Sequence, residues 1–194
     1  PIPVNEACFT ADEIVRATGA RTTFEGDTCG VCLDSRLVEP GNLFVALRGE
    51  VHDAHRYVPQ AFERGAAAVL VDREPAAADA KTFVVDDALR ALGALAGAHR
   101  RRLDRLDVVG VTGSVGKTTT KELIAAALRG TGRATLATRG NLNNRIGVPM
   151  TLLSLDESHD AAVIEMGMSE PGEIAALAAM AAPRIGVVTS VAEV

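Results

Sequence analysis

Residues 110–120 read Gly-Val-Thr-Gly-Ser-Val-Gly-Lys-Thr-Thr-Thr, between an apolar run that ends near Val111 and a helical pattern that begins at Lys117. A glycine-rich turn between a strand and a helix is the setting that a phosphate-binding loop requires. Glycines let successive backbone N–H groups face an anion, and the N-terminus of the helix adds partial positive charge. The stretch predicts a nucleotide-binding α/β domain; the alternative is a glycine-rich turn that binds no nucleotide.

The same stretch predicts which residues contact the nucleotide. Lys117 can reach the β and γ phosphates, and the Thr118 hydroxyl can join the shell of a Mg²⁺ ion. The strict Walker pattern has glycine at position 111, where this chain has Val111. We expect nucleotide contacts from Gly113, Ser114, Val115, Gly116, Lys117, Thr118 and Thr119.

Four apolar runs alternate with helical patterns in the second half of the chain. The runs cover 108–111, 134–137, 161–164 and 185–188, and the helical patterns cover 117–129 and 173–181. Strands buried on both faces and separated by helices predict a parallel α/β sheet. We place a domain boundary near Leu106, between residues 1–105 and 106–194. Because no helix follows the last strand, we expect the chain to be part of a longer protein.

Polar residues follow two strands of this predicted sheet. Glu165 ends one run, and the carboxyl ends of parallel strands face the ligand crevice, so Glu165 is a candidate metal ligand. A helix cap or a surface acid is the alternative. Residues 139–149 form a polar, glycine-containing loop at the same edge. It offers candidate substrate contacts, with generic turn chemistry as the alternative: Asn141, Asn143 and Asn144.

The first half of the chain has weaker patterns. Thr10 to Glu13 form a capping box for a helix that ends at Gly19, and short apolar runs at 31–33, 43–47, 67–71 and 82–85 predict strands. An alanine-rich stretch at 76–80 reads as a surface loop. Ser35 and Arg36 can hold a diphosphate or a uracil, unless Arg36 is buried and pairs with Asp34 or Glu39. His52 and His55 flank Asp53, which indicates a loop contact more simply than a metal pair.

Composition excludes several classes of protein. The chain has 194 residues and a formal net charge of −5, which disfavours nucleic-acid binding. No apolar run reaches about 18 residues, so we expect no membrane insertion. Three cysteines argue against a disulfide scaffold and fit a reducing cytosol. Cys29 and Cys32 read as core cysteines of one buried strand.

Three segments of the second half together resemble the Mur ligase family. They are Gly-x-x-Gly-x-x-Gly-Lys-Thr-Thr-Thr at 110–120, Gly-Asn-Leu-Asn-Asn-x-Ile-Gly-Val-Pro at 140–149 and Ile-Glu-Met-Gly at 164–167. The departure from the Walker spacing is itself the pattern of this family. Its UDP-sugar-binding domain is similar to residues 34–36, 40–50 and 53–55, although Asn42 replaces the preferred Asp and Ala54 replaces the usual Gly.

The resemblance implies a fold and an activity. The fold would be a small N-terminal α/β UDP-sugar-binding domain followed by part of a P-loop parallel-sheet ATPase domain. The activity would be an ATP-dependent, Mg²⁺-requiring amide-bond ligase of cytoplasmic peptidoglycan precursor synthesis. The segment at 140–144 favours the branch of the family that joins D-alanyl-D-alanine to UDP-MurNAc-tripeptide. A branch that adds one amino acid, and a non-catalytic nucleotide-binding module, are the alternatives.

The resemblance also implies residue roles. In the family, the peptide carboxylate attacks the γ-phosphate of ATP, and an amine then attacks the acyl phosphate. Lys117 and Glu165 would be catalytic, and Thr118 and Glu165 would hold Mg²⁺. Further ligands of the family, a histidine and a carbamylated lysine, would come after Val194, so we expect the chain alone not to complete the reaction. Contacts with the sugar-peptide substrate would come from Ser35, Arg36, Asp53, His55, Asn141, Asn143 and Asn144.

Overall fold

The computed structural model describes residues 5–49, 52–73 and 81–191, which leaves the alanine-rich stretch at 76–80 outside the described residues. The described chain divides into two compact units between Leu95 and Ala96. The division falls within a helix that begins at Ala88, after Asp87 accepts a hydrogen bond from the Arg90 N–H group (2.9 Å). Among the described residues, no helix is long and apolar enough to cross a membrane.

The first unit contains a four-stranded parallel sheet and a separate antiparallel pair of strands. In chain order its elements are β1 (Cys8–Thr10), α1 (Ala11–Thr18), β2 (Asp27–Cys29), β3 (Val31–Cys32), β4 (Leu43–Val45), α2 (Val58–Glu63), β5 (Ala68–Val71), β6 (Thr82–Val84) and the first half of α3 (Ala88–Arg102). The parallel sheet has the order β3-β4-β5-β6, and β1 pairs with β2. Strands β4 and β5 are wholly buried, and α2 packs on the sheet through Ala61. The carboxyl ends of β3, β4 and β5 therefore lie along one edge.

The predicted capping box of α1 is confirmed. The Thr10 hydroxyl accepts from the Glu13 N–H group (3.2 Å), and the Glu13 carboxylate accepts from the Thr10 N–H group (2.9 Å). Gly19 ends the helix at φ +72°, with its N–H group donating to the Val15 carbonyl (2.8 Å). Backbone groups at the two ends of α1, which lack hydrogen-bond partners inside the helix, thus bond to the residues that flank it.

The prediction of one buried strand through Cys29 and Cys32 is wrong. Gly30, at φ +81°, separates β2 from β3, and the two strands join different sheets. Pairing of β1 with β2 places Cys8 opposite Cys29, and the two form a disulfide while Cys32 stays free. Cys8 and Cys29 are exposed, so they are not core residues. The count of cysteines could not reveal this bond, because it depends on which strands become neighbours.

The second unit contains a four-stranded parallel sheet, which confirms the predicted α/β class. Its elements, after the end of α3, are β7 (Asp107–Thr112), α4 (Lys117–Gly130), β8 (Thr135–Ala137), α5 (Gly147–Leu153), β9 (Ala161–Glu165), α6 (Glu173–Ala181) and β10 (Ile185–Val188). The strand order is β10-β7-β9-β8. The expected burial on both faces holds for the central strands β7 and β9, whereas β8 is half-buried and β10 is mostly exposed.

Register places the functional segments of this sheet side by side. Val111 of β7 pairs with Glu165 of β9, so the strand that leads into the glycine-rich loop is the neighbour of the strand that ends in the carboxylate. Helix α5 is absent from the sequence prediction, which treated 139–149 as one polar loop. All seven of its residues are buried. The polar part of the segment therefore ends where α5 begins.

Candidate functional site

The glycine-rich loop connects β7 to α4, and the Lys117 side chain bonds back to the loop backbone. Gly113 and Gly116 have φ values of +136° and +87°, which side chains other than glycine rarely adopt. The Lys117 ammonium group donates to the carbonyls of Gly113 (2.6 Å) and Ser114 (3.2 Å). Thr118 follows in the exposed first turn of α4. The loop thus holds a positive charge directly above its own backbone.

Two residues after β10 attach to the loop from the other side. The Ser190 carbonyl accepts from the Ser114 N–H group (2.9 Å), and the Ser190 hydroxyl accepts from the Val115 N–H group (3.2 Å). The Thr189 hydroxyl donates to the Val115 carbonyl (2.6 Å). The amides of Ser114 and Val115, which we expected to face a nucleotide, are therefore engaged by this strap, defined as residues 189–190.

The N-terminus of α4 retains the amides for an anion. The first bond within the helix runs from the Thr120 N–H group to the Gly116 carbonyl (2.9 Å). The N–H groups of Lys117, Thr118 and Thr119 consequently have no partner within the helix, as is general for a first turn. Together with the helix dipole and the Lys117 ammonium group, they form a site suited to phosphate.

Glu165 is a buried carboxylate at the end of β9. Its side chain is 2% exposed, its N–H group donates to the Thr138 hydroxyl (2.9 Å), and its Oε1 accepts from the Asn143 side-chain amide (2.9 Å). The other oxygen, Oε2, has no hydrogen-bond partner among the described residues. An unpaired oxygen on a buried carboxylate is costly, which indicates that the site is built for a further positive group.

The three asparagines of the loop after β8 have different surroundings. Asn143 contacts Glu165, and its carbonyl also accepts from the Gly167 N–H group (2.8 Å). The Asn144 side chain instead accepts from the N–H groups at the start of α5, including that of Gly147 (2.8 Å). Asn141 is exposed. The structure thus brings one of the three predicted residues to the carboxylate, whereas another bonds to the backbone where α5 begins.

Sequence reasoning missed Lys121 and Thr138. The Lys121 side chain is fully buried, and its ammonium group donates to the Thr138 carbonyl (2.7 Å) at a distance of 3.9 Å from the Glu165 carboxylate. Helical spacing could have identified Lys121, because a residue four positions after Lys117 lies on the same face of α4. No comparable pattern in the sequence indicates that Thr189 and Ser190 contact the glycine-rich loop.

Ser35 and Arg36 follow β3 in the first unit. The buried Ser35 hydroxyl donates to the Gln60 side chain (2.6 Å) of α2. The Arg36 guanidinium forms two close bonds to Asp34 (2.6 and 2.9 Å), and this bonding lowers the pKa of the Asp34 carboxyl group. The pairing with Asp34 that we considered as an alternative is observed, but Arg36 is exposed rather than buried.

His55 lies between two carboxylates that follow β4 and β5. Its Nδ1 is 2.7 Å from Asp53 and its Nε2 is 3.1 Å from Asp72, with the imidazole 7% exposed. Arg73 donates to the second oxygen of Asp53 (2.6 Å). The hydrogen bond from the His55 backbone, with those from the His55 ring and Arg73, lowers the pKa of Asp53 to about 2. Sequence reasoning singled out Asp53 and His55 but not their partners Asp72 and Arg73.

Two family models match the chain: "Mur ligase family, catalytic domain" over residues 28–100, and "Mur ligase middle domain" over residues 111–194. The chain belongs to the Mur ligase family. Two relatives are both named UDP-N-acetylmuramoyl-tripeptide--D-alanyl-D-alanine ligase. The Synechocystis protein is 49% identical over 163 residues, and the Bacillus subtilis protein is 46% identical over 185 residues. These matches cover 83% and 93% of this chain but only 36% and 40% of the relatives.

Solved structures of Mur ligases agree with this assignment. MurF from Acinetobacter baumannii superimposes with a TM-score of 0.88 at 38% identity, covering 95% of this chain and 41% of that one. MurF from Thermotoga maritima, solved in complex with ADP, gives a TM-score of 0.76 at 35% identity, covering 82% of this chain and 37% of that one. This Mur ligase chain therefore spans well under half the length of the relatives that it matches.

Replacing Asn143 with alanine should lower the free energy of unfolding of this Mur ligase chain by about 2 kcal/mol, because a buried carboxylate oxygen of Glu165 loses its donor. Urea denaturation measures the change. Asn141→Ala is the matched control in the same loop, and we expect it to change stability by less than about 0.5 kcal/mol, since Asn141 is exposed. Equal effects of the two substitutions would contradict the contact between Asn143 and Glu165.

Acid should selectively remove the stabilising effect of Asp53. Its pKa is about 2 in the folded chain, below the usual value of 3.8, so the contribution is complete above pH 3.8 and is lost as the pH falls toward 2. The difference in stability between the unaltered chain and Asp53→Asn should accordingly shrink over this interval. Denaturation curves at several pH values provide the measurement, and a difference that stays constant down to pH 2 would refute the role of the carboxylate.

Proposed function

We propose that this chain supplies the nucleotide-binding and sugar-peptide-binding parts of a cytoplasmic ATP-dependent ligase that joins D-alanyl-D-alanine to UDP-MurNAc-tripeptide. Residues 106–194 would bind ATP, and residues 1–105 would bind the UDP-MurNAc substrate. The observation that carries the proposal is the register of β7 with β9, which sets a buried carboxylate beside the phosphate loop. The names of the relatives supply the substrates.

The proposed reaction has two steps. A carboxylate oxygen of the tripeptide attacks the γ-phosphorus of ATP, the bond to the bridging oxygen breaks, and ADP leaves. The amine of D-alanyl-D-alanine then attacks the acyl carbon, inorganic phosphate leaves, and the amine loses a proton. The first step brings two anions together, so catalysis depends on neutralising and positioning them.

Residues of the second unit would perform this neutralisation. The Lys117 ammonium group and the free amides at positions 117–119 would hold the phosphates of ATP. Lys117 would exchange its bonds to the loop carbonyls for bonds to phosphate oxygens. The strap would hold the loop backbone at Ser114 and Val115 while this exchange takes place.

The site also fits Mg²⁺. Thr118 and Glu165 would hold the ion, which would neutralise phosphate charge when bound. The described residues contain no cluster of three His, Cys, Asp or Glu side chains that could hold a metal. One carboxylate and one hydroxyl nevertheless suit Mg²⁺, because this ion usually keeps several waters and takes other ligands from phosphates. The unpaired Oε2 of Glu165 agrees with this use.

The carboxyl edge of the first sheet would hold the sugar-peptide substrate. The exposed guanidinium of Arg36 is available to a diphosphate or a uracil once it exchanges Asp34 for the ligand. Asp53 and His55 would shape the neighbouring loop through their mutual bond. Asn143 and the exposed Asn141 would contact substrate at the edge of the second sheet.

Calorimetry on the chain tests this proposal. We expect binding of MgATP and separate binding of UDP-MurNAc-tripeptide, with weaker binding of the corresponding dipeptide. Stronger binding of UDP-MurNAc-dipeptide than of the tripeptide would favour the branch that adds one amino acid. A chain that binds MgATP but neither of these sugar-peptides would favour a nucleotide-binding module. Failure to bind MgATP at all would refute the nucleotide site.

A further inference from the structure

Lys121 is a fully buried cation that the proposed chemistry does not use. Its side chain has no exposed surface, and its ammonium group lies 2.7 Å from the Thr138 carbonyl and 2.9 Å from a carboxylate oxygen of Glu122. Burying a lysine is unfavourable unless the charge is compensated. Glu122 is more than half exposed, so water screens much of its charge.

The second carboxylate near Lys121 is buried. Oε2 of Glu165 lies 3.9 Å from the Lys121 ammonium group, and it is the oxygen that has no hydrogen-bond partner among the described residues. Thr138 connects the two side chains, because its carbonyl accepts from Lys121 while its hydroxyl accepts from the Glu165 N–H group. Asn143 fixes the other oxygen of Glu165. Opposite charges about 4 Å apart and away from water interact strongly even without a direct bond.

We propose that Lys121 is a positioning residue that acts as the built-in counter-ion of Glu165. Its ammonium group compensates the buried carboxylate when no divalent cation is present. The same positive charge repels a free divalent cation that approaches Glu165. A cation that arrives with the phosphates of a nucleotide brings its own negative charge and is repelled less. This last part rests on the proposed function, whereas the charge compensation does not.

The charge compensation is tested by a double-mutant cycle on the thermal midpoint of the chain, with Lys121→Met, Glu165→Gln and the combination of both. We expect Lys121→Met to lower the midpoint by about 5 °C when Glu165 is present and by much less when Gln occupies that position. If the single variant does not fold and the double variant does, the inference is equally supported. If Lys121→Met lowers the midpoint as much with Gln at position 165 as with Glu there, the two losses are additive, Lys121 acts by packing, and the inference is wrong.

The effect on the cation is tested by electron paramagnetic resonance with Mn²⁺ in the absence of nucleotide. We expect Lys121→Met, or Lys121→Gln if the Met variant does not fold, to bind Mn²⁺ about tenfold more tightly than the unaltered chain. The matched control Lys121→Arg keeps the charge and should stay within about twofold. Unchanged or weaker Mn²⁺ binding by a folded neutral variant overturns the proposed repulsion. If the unaltered chain fails to bind MgATP, the proposed function is wrong, and the thermal cycle still decides the role of Lys121.

Discussion

Replacing Lys117 with alanine is expected to weaken MgATP binding by about 100-fold. The Lys117 ammonium group lies on the glycine-rich loop that we propose binds phosphate, with bonds of 2.6 and 3.2 Å to the loop carbonyls. Losing two charge-assisted hydrogen bonds to phosphate removes about 3 kcal/mol of binding free energy. Isothermal titration calorimetry measures the change.

Arg129→Ala is the matched control for this substitution. It removes one positive charge from the same helix, but at the far end, where the guanidinium donates to the Thr135 carbonyl (3.1 Å). We expect the affinity for MgATP to change by less than about threefold, because the distant charge is screened by salt. A similar loss in both variants would mean that helix charge in general, rather than Lys117, holds the nucleotide.

Replacing Gly113 with alanine is expected to cost about 3 kcal/mol of stability and to abolish MgATP binding. A side chain at φ +136° is strained, and its Cβ would overlap the Thr189 hydroxyl and lie 2.9 Å from the Ser190 backbone. The strap would have to move away, and the loop would lose the bonds that hold its shape. Urea denaturation and calorimetry on the same samples give both values.

Gly130→Ala tests whether any glycine near α4 would behave in this way. Gly130 is the last residue of the helix, it has no positive φ, and an added Cβ would meet nothing within 4 Å. Alanine should be neutral there or more stable by up to about 1 kcal/mol, since it favours helix. A large loss at Gly130, or none at Gly113, would contradict the assigned loop conformation.

Features encoded by neighbouring residues could be predicted from the sequence. The capping box of Thr10 and Glu13 involves residues three positions apart, and the apolar runs indicated the strands of the two four-stranded sheets. The apolar run that stops at Glu165 predicted that this residue ends a strand, and β9 confirms it. Here each prediction needed only local spacing and a general rule of topology.

Contacts between distant segments could not be predicted in this way. The disulfide joins Cys8 of β1 to Cys29 of β2, and no local sequence pattern predicts that these two strands pair. Ser190 reaches the loop from 75 residues further along the chain. Helix α5 was not predicted because the asparagines before it suggested a single long loop, whereas the Asn144 side chain accepts from the N–H group of Gly147, the first residue of the helix. In each case the role of the residue depends on which other residue it contacts, and the residue type alone does not reveal that contact.

The strap has a practical consequence for protein engineering. A recombinant version trimmed at Val188 would keep the whole glycine-rich turn and still lose the anchors that Thr189 and Ser190 provide. Residues 110–120 inserted into another protein would also lose these bonds, because that protein would have no residues equivalent to Thr189 and Ser190. The proposed nucleotide-binding loop is therefore not transferable as a short peptide, because its conformation also depends on residues 189–190 after β10.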